Sequence, residues 1–267
     1  MTETKIGAYV TITRDGPVAT VTFDRGDGRN ALSRQLMLEL TQAARSFSDD
    51  LETQAVILAG KDAFTAGADL KDPEMSRRRA SGLMERRQML KVGPEMCEAW
   101  ERVEQITIAA IERYCIGGGA VLAACCDFRI MGAGAYFRLP EIPLGMNMSW
   151  QAIPRFVSLI GPARTKRFVI LGEKLEAEDA LAWGLIDEIA GDGRTLAHAR
   201  DLAESIGRLP PNPVRMTKQA VNAAANALNY ATTFMDLDQY ALATSSEDYR
   251  EAVKAFLEKR PPKFTGR

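Results

Sequence analysis

Residues 106–131 read ITIAAIERYCIGGGAVLAACCDFRIM. The run 106–111 has the composition of a buried strand, Gly117, Gly118 and Gly119 form a turn, 120–126 is compatible with a helix, and 128–131 returns as a strand. This is a β-α-β unit, and a similar one precedes it. There Ser33 is placed to cap a helix whose buried positions Leu36, Leu40, Ala44 and Phe47 recur every three to four residues, and residues 55–59 (AVILA) follow as a buried strand. Alternation in 10–13 and 19–23, separated by Asp15, Gly16 and Pro17, predicts a hairpin that opens the sheet. Downstream, 177–183 reads as a helix ended by Gly184, 185–189 as a strand, and 195–208 as a helix whose buried stripe is Leu196, Ala199, Ala203 and Ile206. Pro210, Pro211 and Pro213 mark the one clear break, and beyond it residues 214–259 carry only helical patterning. The expected organisation is an α/β body over 1–209 and a helical region over 210–267.

Composition narrows the chemistry. The 267 residues are 46% hydrophobic and 26% charged, which fits a globular chain and excludes a disordered or collagenous one. Thirty-four Lys and Arg offset 35 Asp and Glu for a formal charge of −1, so nothing resembles the global basic field of a nucleic-acid binder. The longest apolar stretch is far short of the roughly 20 residues of a membrane span, and the amino terminus lacks the apolar core of a signal peptide, so a cytoplasmic address is expected. His198, the single histidine, lies off the buried stripe of its helix, which argues against Ser-His-Asp hydrolysis and two-histidine zinc sites. Cys97, Cys115, Cys125 and Cys126 have no ligand-like spacing and read as buried thiols.

Two segments suit close backbone approach. The glycine turn 117–119 lies between a strand and a helix, where amide N–H groups and the helix dipole favour negative charge, although a plain tight turn would look the same. The segment 64–70 (FTAGADL) also follows a strand and is rich in small residues. If the amides of Ala68 and Gly118 converge, they form a two-donor oxyanion hole suited to acyl chemistry. Between these segments, 71–91 carries Lys71, Arg77, Arg78, Arg79, Arg86, Arg87 and Lys91 against Asp72, Glu74 and Glu85. A solvated helix face is the ordinary reading of such a run, and a phosphate contact is the other.

Asn30 to Leu32, the stretch from Ala66 to Leu70, the glycine turn, Cys126 with Asp127, Pro140 with Glu141, and residues 255–260 occur in an order that resembles the crotonase family, also called the enoyl-CoA hydratase/isomerase family. The resemblance covers nearly the whole chain. It implies a spiral of repeated β-β-α units with a C-terminal helical region that assembles homotrimers or hexamers. It also implies an acyl-CoA thioester as substrate and no separate cofactor. By similarity Ala68 and Gly118 hold the thioester carbonyl, Ala66, Asp69 and Leu70 contact CoA, and Arg25 lies near its nucleotide. Phe256 and Lys259 resemble tail residues that reach a neighbouring subunit's CoA.

The family's hydratases carry two glutamates. Here the first position is Val121 and the second is Glu141. Hydration is most easily shared between two acid/base groups, whereas a β,γ to α,β double-bond shift needs one carboxylate to move a proton from C2 to C4. The family's single-glutamate isomerases resemble this arrangement. Glu141 is then the expected base, in a pocket dry enough to raise its pKa. Met146, Met148 and Trp150 with Val121 are expected to line an acyl pocket, or simply to pack the loop, and Asn147 or Ser149 to hold a water or a polar acyl group. Gly26, Glu112 and Arg113 depart from the family's usual residues. Alternatives to the isomerase are a one-glutamate hydratase, a non-catalytic acyl-CoA binder, and RNA binding by the Arg77 to Arg87 segment.

Overall fold

The computed structural model describes residues 1–267, with the side chains of Met75, Ser76 and Arg79 outside the description, so the contribution of Arg79 to the basic run lies beyond it. The chain opens with β1 (Thr2–Ile6), β2 (Val10–Asp15), β3 (Val18–Phe23), α1 (Arg34–Arg45) and β4 (Ala55–Gly60). It continues through α2 (Pro73–Ala80), α3 (Leu83–Met89), α4 (Val92–Glu101), β5 (Ile106–Ile111), β6 (Tyr114–Ile116) and α5 (Gly118–Ala124). Next come β7 (Phe128–Gly132), β8 (Tyr136–Arg138), α6 (Ala152–Leu171), β9 (Lys174–Glu176), α7 (Ala177–Trp183), β10 (Glu188–Ala190) and α8 (Thr195–Gly207). The C-terminal part is helical: α9 (Pro211–Ala225), α10 (Asn229–Thr233), α11 (Asp236–Ala243) and α12 (Glu247–Glu258).

Among the described residues the strands form a seven-stranded sheet in the order β1-β2-β3-β4-β5-β7-β10 and a three-stranded sheet β6-β8-β9. The first three strands of the large sheet are antiparallel neighbours, and from β3 onward the pairing is parallel. The central strands are apolar throughout because both faces are covered. In β4, Val56 and Leu58 face the larger core with α1, while Ala55, Ile57 and Ala59 face a second core with Ala199, Ala203 and Ile206 of α8. Each of β5 and β7 is followed by a short strand of the small sheet and then a helix, giving the units β5-β6-α5 and β7-β8-α6. These units are the β-β-α repeat that the family resemblance implied. Three-residue strands carry too little periodicity to be read locally.

Three local readings need adjustment. The strand expected at 185–189 begins only at Glu188, because the α7 cap at Gly184 (φ +85°) draws the Leu185 amide back onto Ala180 O. Leu196 is 45% exposed, and the buried face of α8 starts instead at Thr195, whose amide and hydroxyl both donate to Glu112 Oε1. The proline cluster opens α9 at Pro211, where a missing N–H costs nothing. His198 lies on the outer face of α8 against Glu188, and all four cysteines are buried and free. No helix among the described residues is long and apolar enough to cross a membrane.

Asn30 links this frame to the loops above it. It is fully buried with φ +50°; its Oδ1 accepts from Arg25 N, its Nδ2 donates to Lys61 O and Ala63 O, and its carbonyl accepts from Thr65 Oγ1. Asn30→Ala strands buried backbone groups at the end of β4 and is expected to lower unfolding free energy by about 3 kcal/mol in urea titration.

Candidate active site

The site forms where the segment 64–70 meets the turn before α5. Gly67 has φ +83°, and a methyl carbon there would stand 2.8 Å from Ile116 O, so only glycine lets the two segments touch. Parallel bridges join Leu32 to Ala68 and Thr65 to Cys115. Leu32 N donates to Gly67 O and Asp69 N to Leu32 O, while among the described residues Ala68 N–H donates to no protein acceptor. Gly118 opens α5, and its amide is likewise unengaged, as the first N–H groups of a helix are. Both residues line one cavity of about 130 Å³. Two preset donors beside a helix N-terminus suit a developing oxyanion.

Glu141 lines the same cavity. It sits on a turn closed by Leu144 N and Met146 N, both donating to Glu141 O. Its carboxylate rests against Gly117 (φ +54°), where a methyl carbon would lie 2.7 Å from Oε1. Oε2 is buried and has no hydrogen-bond partner. Burial raises its pKa from 4.5 to about 7, against the opposing effect of its own backbone N–H. A carboxylate poised near neutrality and aimed into a cavity can take up and return a proton at ordinary pH.

The walls are mostly apolar. Trp150 (φ +60°) wedges its indole between Gly93 and Gly118, where added methyl carbons would overlap the ring at 2.0 and 2.2 Å. Val121 is fully buried, and it lines the cavity with Met146, Met148, Asn147 and Ser149. The expected pocket residues are therefore brought together. Asp69 and Leu70 also line it, whereas Ala66 does not; Ala66 donates its amide to Arg29 O. Arg25 stands behind the wall, bonded to Asp69 Oδ2 at 2.7 Å and to Ala31 O. Phe256 and Lys259, at the end of α12, lie outside this cavity, with Phe256 58% exposed. Leu32, Met37, Leu90, Val92, Arg78 and Tyr240 were missed as wall residues. Arg78 was visible only as one cation in a run, and Tyr240 comes from α11, about a hundred residues beyond the turn that it caps, with no local signal.

The fold is that of the crotonases, and the cavity has the makings of an acyl-thioester site. An enoyl-CoA hydratase/isomerase family profile matches residues 13–267, and the chain belongs to that family of enzymes. It is 32% identical over 262 residues to the probable enoyl-CoA hydratase of Mycobacterium bovis, covering 97% of this chain and 98% of the relative. It is 29% identical over 253 residues to the short-chain-enoyl-CoA hydratase of Clostridium acetobutylicum, covering 94% and 95%. The crystal structure of an enoyl-CoA hydratase/isomerase from Pseudoalteromonas atlantica superposes with a TM-score of 0.86 at 25% identity, covering 97% of this chain and all of that one.

The raised pKa of Glu141 has a stability consequence. Its folded value lies above its unfolded one, so between about pH 4.5 and 7 the unfolded chain releases this proton first, and stability falls as pH rises through that window. Relative to Glu141→Gln, the native protein is expected to lose stability between pH 4.5 and 8, as read by urea denaturation at each pH.

Proposed function

We propose that the protein shifts the double bond of a 3-enoyl-CoA to the conjugated 2-position, with Glu141 as the only acid/base group. The carrying observation is the Glu141 carboxylate, whose buried Oε2 has no partner, on the same cavity as two amides unengaged among the described residues, with Val121 at the position that the family resemblance gives to a second glutamate. Ala68 N–H and Gly118 N–H receive the thioester oxygen. Glu141 removes a proton from C2, charge moves onto that oxygen as the dienolate forms, and the same carboxyl returns the proton to C4. Atoms balance, since substrate and product are isomers. The CoA portion leaves past Asp69 and Leu70, with Arg25 holding Asp69 in place.

A second reading is hydration by one glutamate. The names of its relatives favour it, and so does Asn147, whose buried Oδ1 has no hydrogen-bond partner among the described residues and is free to accept from a water. Exposed apolar side chains along the C-terminal helices, among them Met216, Val221, Leu228, Tyr230 and Leu242, support self-assembly, for which we propose a trimer. A cytoplasmic location is part of the same proposal.

Absorbance of thioester conjugation separates the two chemistries. Conjugation is expected to appear with a 3-enoyl-CoA, to fall about 10³-fold in kcat in Glu141→Gln, and to rise with pH to a plateau above about 7. Loss of conjugation from a trans-2-enoyl-CoA at a comparable rate would instead establish the hydratase.

A further inference from the structure

The loop after Glu141 has an unusual backbone. Trp150 (φ +60°) and Gln151 (φ +57°) are consecutive left-handed residues, and neither is glycine. Such a pair persists only where its surroundings fix it. Arg155 of α6 donates through Nη1 to the carbonyls of both residues at 2.9 Å, while its Nε and Nη2 bind the two carboxylate oxygens of Glu101. From α11, Asp236 Oδ2 accepts from Gln151 N at 2.7 Å. Tyr240 of the same helix, whose ring lies 5.9 Å from the Arg78 guanidinium carbon, donates its hydroxyl to Met146 Sδ. Two helices thus hold one turn in a conformation that side-chain-bearing residues disfavour.

That conformation delivers the Trp150 side chain to a narrow place. The indole fills the gap between Gly93 of α4 and Gly118 of α5, and neither glycine leaves room for a methyl carbon beside the ring. Gly93 weakens its helix relative to alanine, and the ring is the reason that nothing larger stands there. Gly118 carries one of the two unengaged amides, so the indole packs directly against a residue of the oxyanion hole.

The space that remains is small. The cavity shared by Ala68, Gly118 and Glu141 measures about 130 Å³. A cavity of about 150 Å³ holds one benzene molecule, so this one has room for an acyl group of about four to six carbons. Apart from Glu141, the charged residues that line it stand on α1 and the stretch 69–78, whereas α5 and the loop after Glu141 supply Val121, Met148 and Trp150. A hydrocarbon chain favours this second, apolar group of walls.

We propose that Trp150 sets the upper size of the acyl group, so that the site takes short-chain acyl-CoA thioesters of about four to six carbons whose chain ends against the indole. Trp150 is then a specificity-determining residue, and the Arg155 and Asp236 contacts keep its ring from swinging aside for a longer chain. This assignment rests on the acyl-CoA reading of the cavity and names the size class of its substrate.

The test measures binding of saturated thioesters, which undergo no double-bond shift, so its outcome is independent of turnover. Butyryl-, hexanoyl-, octanoyl- and decanoyl-CoA are titrated by calorimetry into the native protein, Trp150→Gly and Trp150→Phe. Glycine suits the positive φ at this position, and cooperative urea unfolding shows whether each variant is folded. In the native protein decanoyl-CoA is expected to bind about tenfold or more weakly than butyryl-CoA. The ratio of decanoyl- to butyryl-CoA affinity is expected to rise about tenfold in Trp150→Gly and by less in Trp150→Phe. Native binding of decanoyl-CoA as tight as that of butyryl-CoA overturns the proposal. So does a folded Trp150→Gly with the native chain-length profile or, where that variant does not fold, a folded Trp150→Phe with that profile. Absence of binding by every ester overturns the acyl-CoA reading together with this one. If the chain-length limit is present while 3-enoyl-CoA turnover is not, the isomerase reading fails and the role of Trp150 stands.

Discussion

Close contact between two backbone segments is the constraint on which the site depends. Gly67 and Gly117 adopt positive φ angles, and Gly67 touches Ile116 O at a distance no side chain would permit. That contact sets the unengaged amides of Ala68 and Gly118 on one cavity and brings the Glu141 carboxylate against Gly117. A larger residue at either glycine would push apart the two amides and the carboxylate that share this cavity. The parallel sheet carries this geometry, since β4 and β5 are pinned between two cores and deliver both loops at the same edge.

Polarity then varies around the cavity. Around Glu141 the walls are Val121, Met148 and Trp150, and their low polarity keeps a carboxyl protonated to higher pH than in water. A separate cavity beside α12 is lined instead by guanidinium, ammonium and hydroxyl groups. On another wall of the Glu141 cavity Asp69 is locked to Arg25.

Much of this was legible from residue order alone. Continuous apolar runs at 55–59 and 106–111 revealed strands covered on both faces, and Ser33 revealed the start of α1, where its hydroxyl indeed accepts from Leu36 N. The small residues of 64–70 and the glycine turn pointed to the two segments whose amides share one cavity, and the family resemblance pointed to Glu141, which lines it too. Less was visible where structure depends on partners far away in sequence. β6, β8 and β9 are three residues each and exist because they pair with one another. Leu196 was expected inside because it is apolar, but the Thr195 to Glu112 hydrogen bonds set the rotation of α8. Tyr240 and Arg78 meet across about 160 residues of chain, and no local periodicity encodes that encounter.

Gly145 lies so close to Tyr249 that an added methyl carbon would stand 2.8 Å from the Tyr249 Cα, and Tyr240 caps the turn from the preceding helix. Residues of α11 and α12 thus complete the wall around the Glu141 turn. Without these two helices water would reach the turn, and part of the burial that raises the Glu141 pKa would be lost. The acidity of one loop is in this way tied to the docking of helices about a hundred residues further along the chain.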